Sequence, residues 1–171
     1  MNATPSLPEP WLRGTLTDVN AVPRAVLHAL ELAREDLAKW CAPLTDTEFN
    51  AQPLGLPSIA FQLRHIARSI DRLLTYAEGN ALSAEQLDAL RQESQPGASS
   101  KALFDELLLA LERAAHRVRS LAKSDLEQIR SVGKKAFPTT LGGLLVHVAD
   151  HTQRHVGQAI TTAKILFAER R

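Results

Sequence analysis

Three histidines stand four residues apart in the stretch Leu144–Gln158, LLVHVADHTQRHVGQ: His147, His151 and His155. On a helix, residues at that spacing lie one above the other along one side. They are not equally deep. At about 100° per residue, with His151 at zero, the apolar residues Leu141, Leu145, Val148, Val156, Ala159 and Leu166 gather near +90°. On the same wheel His155 falls at about +40° and His147 at about −40°. His155 and His151 therefore look inward, and His147 sits at the rim beside Asp150 and Arg154. Two inward imidazoles need partners for their ring nitrogens. A metal ion supplies one, because an i, i+4 histidine pair is a bidentate grip. His147 and His155 are separated by about 12 Å of helical rise, too far to share an ion. The plain alternative is a set of capping or core histidines bonded to side chains and water.

A third ligand must come from elsewhere. The run FQLRHIARSIDRLLTY contains one histidine, His65, beside an apolar stripe of Ile59, Ile66, Ile70, Leu73 and Ala77. Ser69, Arg72 and Tyr76 share its side. This row is either a solvated edge or the wall of a pocket in which Arg72 meets an anionic group.

Around these residues the chain is an ordinary folded protein of 171 residues with a net charge of +1. Nothing in that charge supports nucleic-acid binding. A single cysteine, Cys41, forms no internal disulfide and is too few for a thiolate metal site, which suits a reducing, cytoplasmic setting. The opening MNATPSLPEPW lacks a basic segment followed by an apolar run, so no signal peptide is expected. No apolar run is long enough for a membrane span.

The elements that must position the histidines are helical. Residues 1–16, with Pro5, Pro8 and Pro10, read as an extended arm pinned by Trp11 and Leu12. Val22, Val26, Leu30, Ala33, Leu37 and Trp40 recur at helical spacing, with Pro23 in the first turn and Pro43 past the end. His28 falls at the edge of that stripe. A proline-rich loop over 42–57 leads to a second helix, capped by Ser58 and stopped by Gly79. The link 79–100 carries a capping box, Ser83 with Gln86, that opens a short helix. A third helix spans about 100–123. Residues 124–140 form a connection with at most one helical turn, and Thr139 or Thr140 caps the fourth helix. Four long amphipathic helices without strand signals predict an all-α four-helix bundle. The long second link allows helices two and three to run parallel.

Together, IAFQLRHIARSIDRLLTYAEG and LLVHVADHTQRHVGQAITTA resemble the DinB/YfiT-like superfamily. Its signature is one histidine on helix two and a run like Asp150-His151-Thr152-Gln153-Arg154-His155-Val156-Gly157-Gln158 on helix four. The resemblance covers most of the chain. It implies an up-down-down-up bundle, often dimeric, with one divalent metal on His65, His151 and His155. His147 and Gln158 fall beside that set without being counted as ligands. This chain departs from many members in carrying Thr152 and Val156 next to its helix-four ligands, where they carry acidic, basic or further histidine residues.

Three imidazoles leave an ion its full charge and an open position, which acidifies a bound water or thiol. The sequence reads H-T-Q-R-H rather than H-E-x-x-H, which argues against a zincin peptidase. The resemblance implies a metal-dependent enzyme of thiol S-transferase or hydrolase type, since some members join a low-molecular-weight thiol to an electrophile. Zinc or nickel leads, with iron or copper also suited to nitrogen ligands. Ser69, Arg72 and Tyr76 are the candidate substrate-binding residues, for a small molecule. The other expectations are a non-catalytic metal-binding bundle in a stress response, or a dimerising bundle with histidines as polar filler.

Overall fold

A computed structural model describes residues 7–170. Its helices are α1 (Ala21–Cys41), α2 (Asp46–Asn50), α3 (Ile59–Ala77), α4 (Ala84–Arg91), α5 (Ser100–Leu121) and α6 (Leu141–Glu169). Two strands, β1 (Ile129–Val132) and β2 (Phe137–Thr140), pair antiparallel with Ile129 opposite Thr140 and Val132 opposite Phe137. The bundle is made by α1, α3, α5 and α6, the four helices of the sequence pattern. Leu37, Ile66, Leu107 and Leu145, one from each, are fully buried at its centre.

Hydrogen bonds between helix ends fix the directions. Arg170, after α6, bonds Glu48 and the Pro43 carbonyl, so α6 finishes at the end where α1 finishes. Ser100 N at the start of α5 donates to Asp46 Oδ1, just ahead of α3, while Arg117 near its finish reaches Asp71 and Glu78 near the finish of α3. Helices α3 and α5 are therefore parallel to each other and antiparallel to α1 and α6. That is the up-down-down-up order, made possible by the long link through α4.

Local signals explain most boundaries. Ser58, Ser99 and Thr140 each accept a hydrogen bond from a first-turn N–H of the helix they precede. Ser83 and Gln86 form the reciprocal capping box expected of them. Gly79, at φ +83°, follows α3 in the left-handed conformation that glycine adopts without strain.

Three expectations need correction. Residues 124–140 hold a β-hairpin rather than a helical turn. Its strands are four residues each and the second contains Pro138, which counts against a strand reading unless it lies on an edge. The hairpin is tied to α6 by Leu141 N to Gln128 O at 2.9 Å and Gly142 N to Leu126 O at 2.8 Å. A Cβ on Gly142 would come within 3.2 Å of that same carbonyl oxygen, so glycine permits the docking. Second, α2 interrupts the 42–57 loop, opened by a capping box of Thr45 and Glu48. Third, the described part of the N-terminal arm is not extended, since Pro10–Leu12 form a 3-10 turn. Residues 1–6, including Pro5, lie outside the described residues. Trp11 and Leu12 do not pin the arm, being 62% and 56% exposed. Arg13 does, through Glu31 at 3.0 Å and Glu35 at 2.7 Å.

Candidate metal centre

His65 on α3 and His151 and His155 on α6 meet where those two helices pack. One ligand atom from each lies within 4.8 Å of the others. His147 stays at the rim, its side chain 44% exposed and its Nδ1 2.9 Å from Asp150 Oδ1. His28 is buried, with Nε2 3.2 Å from Thr15 Oγ1, and His116 is exposed on α5. The cluster thus takes in His151 and His155 and leaves out His147.

The Nδ1 atoms of the three clustered rings all face outward from the cluster. His65 Nδ1 lies 2.7 Å from Glu93 Oε2, and an ionised carboxylate only accepts, so Nδ1 carries the proton. His155 Nδ1 lies 2.7 Å from Gln62 Oε1, again an acceptor. His151 Nδ1 lies 3.5 Å from Ser69 Oγ, whose own proton goes to the Ile66 carbonyl. In a neutral ring protonated at Nδ1, Nε2 is a lone pair. His65 Nε2 therefore presents a lone pair to His151 Nε2, 3.4 Å away; a His151 protonated at Nε2 would donate to it, and a His151 protonated at Nδ1 would place two acceptors face to face. Ligand nitrogens on a tetrahedral zinc, at 2.0–2.1 Å from the ion, are about 3.3 Å apart. The separation and the donor chemistry both fit one cation.

The electrostatics agree. Burial, then the charge of neighbouring imidazoles, pushes His151 down to about 4, and burial and His65 push His155 down to about 4. Both rings are therefore neutral near pH 7, the state a metal ligand requires. Phe61 stacks on His65 with ring centroids 5.4 Å apart, covering one face of that ring.

Glu93 is the residue that sequence reading missed. It sits just beyond α4 in the crossover and is 4% exposed. Burial alone would push its carboxyl up; hydrogen bonds from His65 and Arg72 outweigh this and hold it below the usual range. Arg64 donates to the Glu93 and Gln95 carbonyls, and Arg68 to the Ala89 carbonyl. Arg64, Arg68 and Arg72, one turn apart on α3, thus clamp the crossover against the helix. No local motif marks Glu93; the arginine ladder that receives it was the available signal.

The polar row on α3 divides accordingly. Ser69 is buried against His151. Arg72 does not stand open to a ligand, because its Nη1 bonds Glu93 Oε1 at 2.5 Å. Tyr76 is not at the centre; it lines a cleft with Gly79 and Arg130 beside the hairpin. Three helical turns separate it from His65. Gln158 is exposed beside His155 and favours that ring's protonated form. Cys41 is fully buried, and burial pushes its thiol up to about 12, so it is no nucleophile.

The sequence model described as the DinB superfamily matches residues 29–159, a span that includes all three clustered histidines. The chain belongs to the DinB superfamily. Two solved structures share this DinB fold. A conserved protein from Enterococcus faecalis superposes with a TM-score of 0.70 at 19% identity, covering 87% of this chain and 99% of that one. YfiT from Bacillus subtilis, described as a probable metal-dependent hydrolase with an unusual four-helix bundle topology, gives 0.63 at 14% identity, over 84% and 87%. At such identities the likeness concerns the fold. Comparison with curated protein sequences gives no match.

Proposed function

We propose that this DinB-superfamily chain is a metal-dependent enzyme whose single divalent ion, zinc or nickel before iron or copper, is held by His65, His151 and His155. The observation that carries this reading is the convergence of the three imidazoles, with His65 Nε2 and His151 Nε2 3.4 Å apart and the Nδ1 atoms of His65 and His155 committed to Glu93 and Gln62. With each ring protonated at Nδ1, a cation at that point satisfies the converging Nε2 lone pairs together. An ion on three imidazoles supplies an electrophilic centre with an open position, at which a thiol or water is acidified.

The chain's own residues favour a thiol over water. Hydrolysis wants a positioned general base. Glu93 is not free for that task, since one oxygen accepts from His65 and the other from Arg72. A thiol needs no such base, and its transfer to a small electrophilic substrate makes the leading reading a thiol S-transferase with a low-molecular-weight thiol as co-substrate. Hydrolysis is the second reading. It is favoured by the His147–Asp150 pair, one turn from His151 and open to solvent, and by likeness to YfiT, itself described as a probable metal-dependent hydrolase.

Among the described residues no helix is long and apolar enough to cross a membrane. A free cysteine fits a cytoplasmic protein. A homodimer accounts for the exposure of Trp11, Leu12, Leu108 and Leu109. Light scattering at micromolar concentration showing only an 18.7 kDa species would remove it.

Titrating the cobalt-substituted protein with small thiols distinguishes the two chemistries. The transferase reading expects a sulfur-to-metal charge-transfer band that saturates with thiol. Absence of the band with every thiol, together with turnover of an activated ester, transfers the assignment to hydrolysis.

A further inference from the structure

The crossover between α3 and α5, residues 79–99, is held to the bundle with no apolar side chain of its own buried. Glu93 is its one buried residue. Within it α4 has eight residues, and none of them is buried. A helix of that length is marginal in water unless tertiary contacts support it. Here the support is polar. Gln86 donates to Asp71 and Thr75 on α3, Arg68 to the Ala89 carbonyl, and Arg64 to the Glu93 and Gln95 carbonyls. Beneath α4, the side chains of Ala67, Ile70, Leu74, Ala110 and Ala114 line a half-open cleft of about 300 Å³ that the crossover leaves unfilled. A segment with so little buried apolar surface opens locally at a smaller free energy than the bundle unfolds.

Glu93 is the exception, and both of its oxygens are engaged. One lies 2.7 Å from His65 Nδ1 and the other accepts from Arg72 Nη1 at 2.5 Å. Undocking the crossover therefore takes the acceptor from His65 and leaves Arg72 unpaired in one step. The relation also runs the other way. With a cation on Nε2, the His65 Nδ1–H is a stronger donor to the carboxylate. By linkage, whatever factor docking contributes to ion affinity, the ion contributes to docking.

We propose that the crossover is a strap pinned by Glu93, and that loading of the three-histidine centre closes it. The pin stands on the contacts of Glu93 alone; the closing rests on the metal reading above. Docked, the strap holds α4 over the cleft. Open, it frees Arg64, Arg68 and Arg72 and uncovers the apolar floor between α3 and α5.

Residue-resolved hydrogen exchange of the full chain tests both halves. The amides of Leu87, Gln92, Glu93 and Gln95 donate to carbonyls within the crossover and exchange when it opens. In metal-free protein they should exchange faster than the buried amides of α3 and α5. Glu93→Gln should speed them further, by about tenfold or more, with helicity unchanged by circular dichroism. Saturating zinc should slow them in wild type by about 10- to 100-fold, the factor that an outer acceptor contributes to a ligating imidazole. The amides of the β1–β2 hairpin should keep their metal-free rates. In Glu93→Gln saturated with zinc the slowing should be lost. Equal crossover exchange in metal-free wild type and Glu93→Gln overturns the pin. Zinc-loaded wild type whose crossover exchanges at the metal-free rate, or slowing as large in Glu93→Gln, overturns the closing. A chain that takes up no zinc overturns the metal reading and the closing with it, and leaves the pin in place.

Discussion

Glu93 Oε2 lies 2.7 Å from His65 Nδ1 while its Oε1 lies 2.5 Å from Arg72 Nη1, so one buried carboxylate ties a histidine of the cluster to an arginine two turns along the same helix. Outer acceptors of this kind fix the tautomer of a ligating imidazole and raise its basicity. Glu93→Gln should therefore weaken zinc binding by about 10- to 100-fold while the fold persists. Chelator competition measures this. An unchanged affinity would show that Glu93 does not orient His65.

The Arg72–Glu93 pair has a separate signature in stability. Removing one partner leaves the other charge buried, at a cost of roughly 3 kcal/mol. Arg72→Met should show that loss in urea unfolding of the metal-free chain. Arg72→Met combined with Glu93→Gln should recover part of it. Strictly additive losses would mean that the two side chains act independently.

Gln62 is fully buried and its Nε2 has no hydrogen-bond partner, which is costly in a core. What the residue contributes is the acceptor for His155 Nδ1. Gln62→Leu should consequently lower zinc affinity while leaving the metal-free chain as stable or more so. A large stability loss with unchanged affinity would assign Gln62 to packing alone.

Acid should act on the same cluster. The folded-state values of His151 and His155 are lowered to about 4 from 6.5. Between those values the unfolded chain binds more protons than the folded one, so stability falls as pH drops through the window from 6.5 to 4. The urea midpoint of metal-free protein should decrease over that range, and His151→Asn should flatten the slope. A midpoint independent of pH there would show that the rings are not held neutral.

How far the sequence disclosed this arrangement depended on the length scale of each signal. The four bundle helices carry apolar repeats of about twenty residues, long enough to average out local exceptions. Helical phase alone separated His151 and His155 from His147, because all three share one rigid helix. The hairpin was hidden by its four-residue strands and by Pro138, and α2 by its five residues. Glu93 was invisible for a different reason. It reaches His65 across 28 residues of chain, through a crossover whose path is set by three arginines on α3. The sequence leaves Arg72 open between a solvated edge and a ligand's anchor because its partner, Glu93, is remote along the chain.

The ligand set is tested most directly by elemental analysis of untagged protein and of six single histidine-to-alanine variants. Wild type should carry one divalent ion per chain. His65→Ala, His151→Ala and His155→Ala should each lose it, while His28→Ala, His116→Ala and His147→Ala should keep it. Metal stripped by His147→Ala but retained by His155→Ala, or wild-type protein that takes up no divalent ion, would contradict the account.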